Sequence, residues 1–253
     1  MGGPFPVMVP VGPWQVHPHV LFESLGYIVG FQTFLWLRRR RGDHLAEGQR
    51  PILVLAAIVG ALVGSKILAW LVDPSFVWTN RGDWQAWAEG KTVVGALLGG
   101  LLAVELAKRR MGIQRATGDL YAIPLALGTA NGRIGCFLTG LDDRTYGNPT
   151  SLPWGIDFGD GVARHPTQLY EILFLAALVL VLLRVMVRGH REGDLFKLYL
   201  VGYLGWRLVV GFIQPQPFTL LGLGAIQWAC VAGVAAYARQ VPRLWRRAAG
   251  SAA

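Results

Sequence analysis

Seven apolar stretches separated by short charged segments restrict this chain to folds whose helices lie in a bilayer. They run approximately over residues 18–37, 51–72, 92–107, 117–139, 167–187, 195–213 and 219–238, and a helix needs about 20 mostly apolar residues to span a membrane. With 53% hydrophobic and only 15% charged residues in 253, the composition is too apolar for an ordinary soluble domain of this size. The fold class expected is all-α: a polytopic integral membrane protein of about seven transmembrane helices, forming a single domain over 1–253. The third stretch is short and carries Gly95, Gly99 and Gly100, which suits a helix that is tilted, closely packed or partly re-entrant.

The formal charge of +9 would fit a nucleic-acid partner if the basic residues were spread over one face. Instead they fall in alternate loops: Arg38 to Arg41 and Arg50; Lys108 to Arg110 and Arg115; Arg184, Arg188, Arg191 and Lys197; Arg239, Arg243, Arg246 and Arg247. That distribution is a topology signal, and it makes these loops cytoplasmic. No nucleic-acid partner is expected. The N-terminus has no basic segment followed by a small-residue cleavage site, so the first stretch reads as a retained span with the N-terminus outside. The C-terminus is then inside, with 239–253 a basic cytoplasmic tail, and the loop at 140–165, rich in Gly, Pro, Asp and Thr, is extracytoplasmic and irregular. Trp14, Trp78, Trp84, Trp87 and Trp154 fall in the outer loops, where an interfacial belt is expected.

Orientation gives depth to the ionisable residues inside the spans, each of which is costly in hydrocarbon and marks a functional position by default. Glu23, Lys66, Arg133, Glu171 and Arg207 all fall in the outer half. At ~1.5 Å of rise per residue, Arg133 lies roughly 9 Å below the outer end of its helix, near the depth of a lipid phosphate. A guanidinium binds phosphate oxygens with directed hydrogen bonds and stays charged when buried. Two readings of Arg133 and Arg207 stand: binding of a phosphate-bearing substrate, and structural pairing with Glu23 or Glu171. Gly132 and Gly135 flank Arg133 and would let a backbone or a headgroup come close.

Other residues carry paired readings too. His165, beside Arg164, suits proton transfer at the outer interface, or its imidazole satisfies loop carbonyls at a helix start; Tyr170 and Glu171 could orient it. Lys66 reaches a ligand or snorkels outward. Cys136 is a thiol near a cation or a small buried residue. Asp119 is expected to cap the fourth span. Cys136 and Cys230 show neither a disulfide framework nor a zinc spacing.

The segments Asn131 to Phe137 (NGRIGCF), Tyr146 to Thr150 (YGNPT) and Arg164 to Glu171 (RHPTQLYE) resemble the prolipoprotein diacylglyceryl transferase family of bacterial inner-membrane enzymes. YIVGF from Tyr27, Gly118-Asp119 and Arg207 in WRLVVGF support the resemblance. It implies a multi-pass protein of the bacterial inner (cytoplasmic) membrane. The implied reaction transfers a diacylglyceryl group from phosphatidylglycerol to the lipobox cysteine thiol of a preprolipoprotein, releasing glycerol phosphate. Phosphatidylglycerol, the lipobox peptide and the bilayer are the implied partners, and no metal or other cofactor is called for. Taken with the reading of the residues, the resemblance makes Arg133, Arg207 and His165 the catalytic candidates. It adds Tyr27, Glu23, Gly132, Gly147, Tyr170 and Glu171 to the two arginines for substrate binding.

The chain also departs from the family pattern. Where the family carries His-Gly-Gly-Leu, this chain has Val94-Gly95-Ala96-Leu97, so one candidate base is missing. Cys136 stands at a common asparagine position, Gly211 at a glutamate position, and Leu141 to Thr145 differ from the usual loop. Three readings follow: a transferase that uses His165 or substrate assistance, a divergent member acting on another lipid or acceptor, and a non-catalytic protein that binds anionic phospholipid or a lipoprotein.

Overall fold

The computed structural model describes residues 5–42, 45–46, 48–84, 87 and 90–249. Nine helices carry the described chain: α1 (Pro18–Arg41), α2 (Gln49–Val72), the short α3 (Pro74–Thr79), α4 (Val93–Arg110), α5 (Asp119–Thr139), α6 (Thr167–Arg188), α7 (Asp194–Val210), α8 (Ala225–Ala236) and α9 (Val241–Ala249). Four are long and apolar enough to cross a membrane: α1, α2, α6, and α7 continued by a 3-10 turn to Ile213. The expectation of an all-α membrane protein holds at that level. Three two-stranded antiparallel hairpins decorate the bundle: β1 (Val9–Val11) with β2 (Trp14–Val16), β3 (Ile156–Asp157) with β4 (Ala163–Arg164), and β5 (Thr219–Leu220) with β6 (Leu223–Gly224).

The last apolar stretch starts later than its hydropathy suggests. Residues 219–224 form a hairpin whose turn places Leu221 and Gly222 at φ 52° and 78°, so the helix begins only at Ala225. The tail is a helix up to Ala249, and residues 250–253 lie outside the described part.

Between apolar helices in lipid there is no hydrophobic driving force, and association rests on close van der Waals packing at small residues. α2 meets α4 in this way: a Cβ on Gly64 would fall on the Gly95 carbonyl oxygen and stand 2.8 Å from Gly99 Cα. Of the arrangements open to the glycine-rich third stretch, the structure takes close packing. α1 meets α5 by the same device, since a Cβ on Gly26 would lie 2.7 Å from the Gly128 carbonyl oxygen. The core between α5, α6 and α7 is built from Ala122, Ala126, Leu175, Leu182, Tyr199, Leu200, Tyr203 and Leu204, all without solvent exposure. Outward, Leu173, Leu180 and Val187 line one exposed face of α6 at a spacing of two turns, as a lipid-facing stripe requires.

Asp119 caps a helix other than its own. Its carboxylate accepts from the backbone N–H groups of Gly193 (2.7 Å) and Phe196 (3.0 Å), closing the N-terminus of α7, while α5 itself starts at Gly118 without a side-chain cap. Satisfying those otherwise unpaired amides pins α7 beside α5 and sets the register of Arg207 against Arg133.

Candidate active site

One carboxylate gathers the buried charges. Glu171, one turn into α6, lies with Oε1 at 3.0 Å from Nε of Arg133 on α5 and with Oε2 at 3.3 Å from a terminal nitrogen of Arg207 on α7. The Tyr203 hydroxyl, one turn before Arg207, donates to Glu171 Oε1 at 2.7 Å. Arg133 and Arg207 are each 8% exposed and Glu171 2%. Of the two readings of the arginines, the structural pairing is present: both pair with Glu171, so that two cations share a single anion. The three groups carry one net positive charge in a desolvated place, where an unbalanced ion is expensive. The Arg133 Nε–H is not directed at the carboxylate and finds no hydrogen-bond acceptor among the described residues. One turn back on α6, Gln168 is 1% exposed and neither of its amide atoms has a partner there. Buried donors left unmatched cost free energy, and here they stand on the same helical faces as the ion cluster.

The glycines around Arg133 do different jobs. A Cβ on Gly132 would meet nothing within 4 Å, so that face is open. A Cβ on Gly135 would stand 3.0 Å from the Pro18 carbonyl oxygen and 3.1 Å from His19 Cα. Its absence lets the start of α1 lie against α5, and this contact delivers a second group of polar residues.

In that group His19 Nδ1 is 2.9 Å from Asp143 Oδ1 and His19 Nε2 is 3.3 Å from Glu23 Oε2. Thr145 donates to the other oxygen of Asp143 at 2.5 Å. The Cys136 sulfur comes within 4.8 Å of the ligating atoms of both His19 and Asp143, and a terminal nitrogen of Arg133 is 3.7 Å from that sulfur. Glu23 also accepts from Lys91 at 2.7 and 2.9 Å and from Tyr27 at 3.0 Å. Polar contacts thus run from Arg207 through Glu171, Arg133, Cys136 and Asp143 to His19, Glu23 and the 70% exposed Tyr27. The sequence reading missed His19, Asp143, Tyr203 and Gln168. Tyr203 had one available signal, its position one turn from Arg207; Asp143 had none, because the loop that carries it has no periodicity.

His165 belongs to a third group. Its Nδ1 lies 3.4 Å from the Tyr170 hydroxyl, which accepts from the Trp154 indole at 2.8 Å. Its backbone carbonyl receives the Gly147 and Thr167 N–H groups, each at 2.9 Å. A Cβ on Gly147 would collide with His165 Cβ at 2.5 Å and with the Ile213 carbonyl oxygen at 2.8 Å, so this glycine lets the loop press against α6 and the end of α7. The structure brings His165, Tyr170 and Gly147 together at one edge, Glu23 and Tyr27 at another, with Arg133, Arg207 and Glu171 buried as the central cluster. Lys66 donates to the Gly90 carbonyl at 2.8 Å, an exposed tie between α2 and the following loop.

The loop between α5 and α6 is held by an aromatic cluster of Phe5, Phe137, Tyr146 and Phe158. The carboxylate of Asp157 accepts three backbone N–H groups, from Gly159, Asp160 and Gly161. Those bonds, the Gly159 one foremost, hold its carboxyl below the ordinary carboxylate range. The turn it makes is consequently intact at neutral pH and loosens only as the pH falls through that lowered value.

Comparison with known proteins agrees with the motif reading. The family model described as prolipoprotein diacylglyceryl transferase matches residues 6–240. Curated relatives named phosphatidylglycerol–prolipoprotein diacylglyceryl transferase are similar over most of their length. The Cupriavidus pinatubonensis protein is 31% identical over 87% of this chain and 82% of its own. The Cupriavidus metallidurans protein is 30% identical over 98% and 96%, and that of Clostridium tetani 31% over 78% and 86%. No solved structure matches. With the family match spanning all three motifs and the helices from α1 to α8, this chain belongs to the prolipoprotein diacylglyceryl transferase family.

Proposed function

We propose that this protein transfers a diacylglyceryl group from phosphatidylglycerol to the lipobox cysteine of a preprolipoprotein, in the cytoplasmic membrane of a bacterium. The observation that carries the reading is the charge count at Glu171: two buried guanidinium groups against one carboxylate leave one positive charge, and a phosphodiester brings one negative charge. Arg133 and Arg207 bind the phosphate, and the positive charge they hold stabilises the extra negative charge that appears on it as the bond to the glycerol carbon breaks. The open face at Gly132 admits the headgroup. Glu23 and Tyr27 on one side, and Gly147, His165 and Tyr170 on the other, border the route by which lipid and peptide reach it.

In this reading the bundle crosses the membrane seven times, with the hairpins, the tryptophans and the loop at 140–165 outside. The basic ends of α1, α4, α6 and α9 face the cytosol, as the positive-inside rule requires. The acceptor thiol must lose its proton, and His165 and His19 are histidines near the outer end of the site whose rings meet its polar side chains.

The test is a transfer assay in sealed membrane vesicles containing phosphatidylglycerol, with a lipobox peptide that cannot cross the bilayer. Vesicles exposing the outer face should yield a thioether-linked diacylglyceryl peptide by mass spectrometry, and inverted vesicles should not. A Cys-to-Ser peptide should yield none. Absence of product under conditions where a relative forms it, or product with another lipid only, would replace this reading with a divergent specificity or a binding protein.

A further inference from the structure

The geometry points to His19, held by Asp143, as the base that takes the proton of the acceptor thiol. This inference rests on the transferase reading above and adds to it a residue for the step that the arginines cannot perform. A guanidinium keeps its protons at any relevant pH, and Glu171 is occupied by two cations and a tyrosine. The thiol must nonetheless ionise, because the thiolate is the nucleophile.

Three observations place the base at His19. A carboxylate oxygen 2.9 Å from Nδ1 holds the proton on that nitrogen, so that Nε2, once released from Glu23, is the nitrogen that offers its lone pair. The other contact of the ring, Nε2 to Glu23, is longer at 3.3 Å, and Glu23 has Lys91 and Tyr27 to satisfy it, so an arriving thiol can take the place of that contact. Third, a sulfur already fits beside this ring: Cys136 Sγ lies within 4.8 Å of the His19 and Asp143 ligating atoms and 3.7 Å from a terminal nitrogen of Arg133. The histidine is thus joined to the phosphate-binding cluster through one side chain, and Gly135 is the residue that allows the approach. The Arg133 cation disfavours a metal ion at the same spot. His165, by contrast, faces Tyr170 and carries loop hydrogen bonds on its backbone.

The step balances. Nε2 of His19 takes the thiol proton; sulfur forms a bond to the glycerol carbon of the lipid; the carbon–oxygen bond to phosphate breaks, and its electron pair goes to the phosphate oxygen held by Arg133 and Arg207. Nothing is oxidised or reduced. The imidazolium that results lies between Asp143 and Glu23 and returns its proton to water or to the departing glycerol phosphate.

Purified full-length protein in lipid nanodiscs, with phosphatidylglycerol and a lipobox peptide, provides the test. His19→Gln should lower kcat by about 10²-fold or more with little change in KM for the lipid. A selenocysteine peptide, whose selenol ionises without help, should recover most of that loss. Asp143→Asn should fall in the same direction, with the same recovery, and decides the matter if His19→Gln does not fold. His165→Gln should show no selective recovery. Wild-type turnover by His19→Gln, or a loss equally large with the selenol, would overturn the inference. Lack of product from the wild type would instead remove the transferase reading itself.

Discussion

Glu171 is the residue on which the two arginines depend. Replacing it with Gln keeps its volume and removes the one negative charge that two buried guanidinium groups share. Breaking a buried pair from one side costs about 3–5 kcal/mol, because a charge is left uncompensated. Glu171→Gln should therefore unfold in detergent at a clearly lower temperature than wild type. Tyr203→Phe removes one hydrogen bond, at a cost of about 1–3 kcal/mol, and should lie between them; equal melting temperatures for all three would refute the role given to the cluster. The charged members within the apolar stretches, Arg133, Glu171 and Arg207, were legible in the sequence because an ion there needs a reason. The uncharged ones were not: Tyr203 and Gln168 cost little to bury and do not stand out among the residues around them. The convergence of His19, Cys136 and Asp143 was hidden too, since spacing along the chain says nothing about a contact between the start of α1 and a loop after α5.

Among the elements, glycines decide which helices pair. The sequence shows Gly95, Gly99 and Gly100 as an anomaly in a short apolar stretch, and close packing is one of three arrangements that pattern allows. The structure selects it because Gly60 and Gly64 of α2 present their own bare backbone at the matching height. Gly64→Leu should destabilise the protein by about 1–3 kcal/mol or more, since the obstacle is backbone that cannot step aside. Gly205→Ala on α7 meets nothing within 4 Å and should be neutral or slightly stabilising in the same thermal-unfolding measurement; equal effects from the two would contradict this packing. The start of α8 was misjudged for a different reason: Thr219 to Gly224 is apolar enough to read as the start of a span, while the positive φ angles at Leu221 and Gly222 turn it into a hairpin.

Across the whole molecule, charge is sorted by end. Arg41 donates to the Met186 carbonyl, Arg115 pairs with Glu192, Arg243 pairs with Asp194 and Asp119 caps α7, all at one end of the bundle. The opposite end carries the three hairpins, Trp14, Trp78, Trp84 and Trp154, and the histidines His17, His19 and His165. The buried arginines lie toward the second end. The central claim is that Arg133 and Arg207 together hold the phosphate of one lipid. It is tested most directly by assaying Arg133→Ala and Arg207→Ala for thioether formation from phosphatidylglycerol, alongside retention of that lipid by the purified proteins. Each variant should lose turnover by on the order of 10²–10³-fold and retain less phosphatidylglycerol than wild type. Wild-type turnover and lipid retention in either variant would contradict the account.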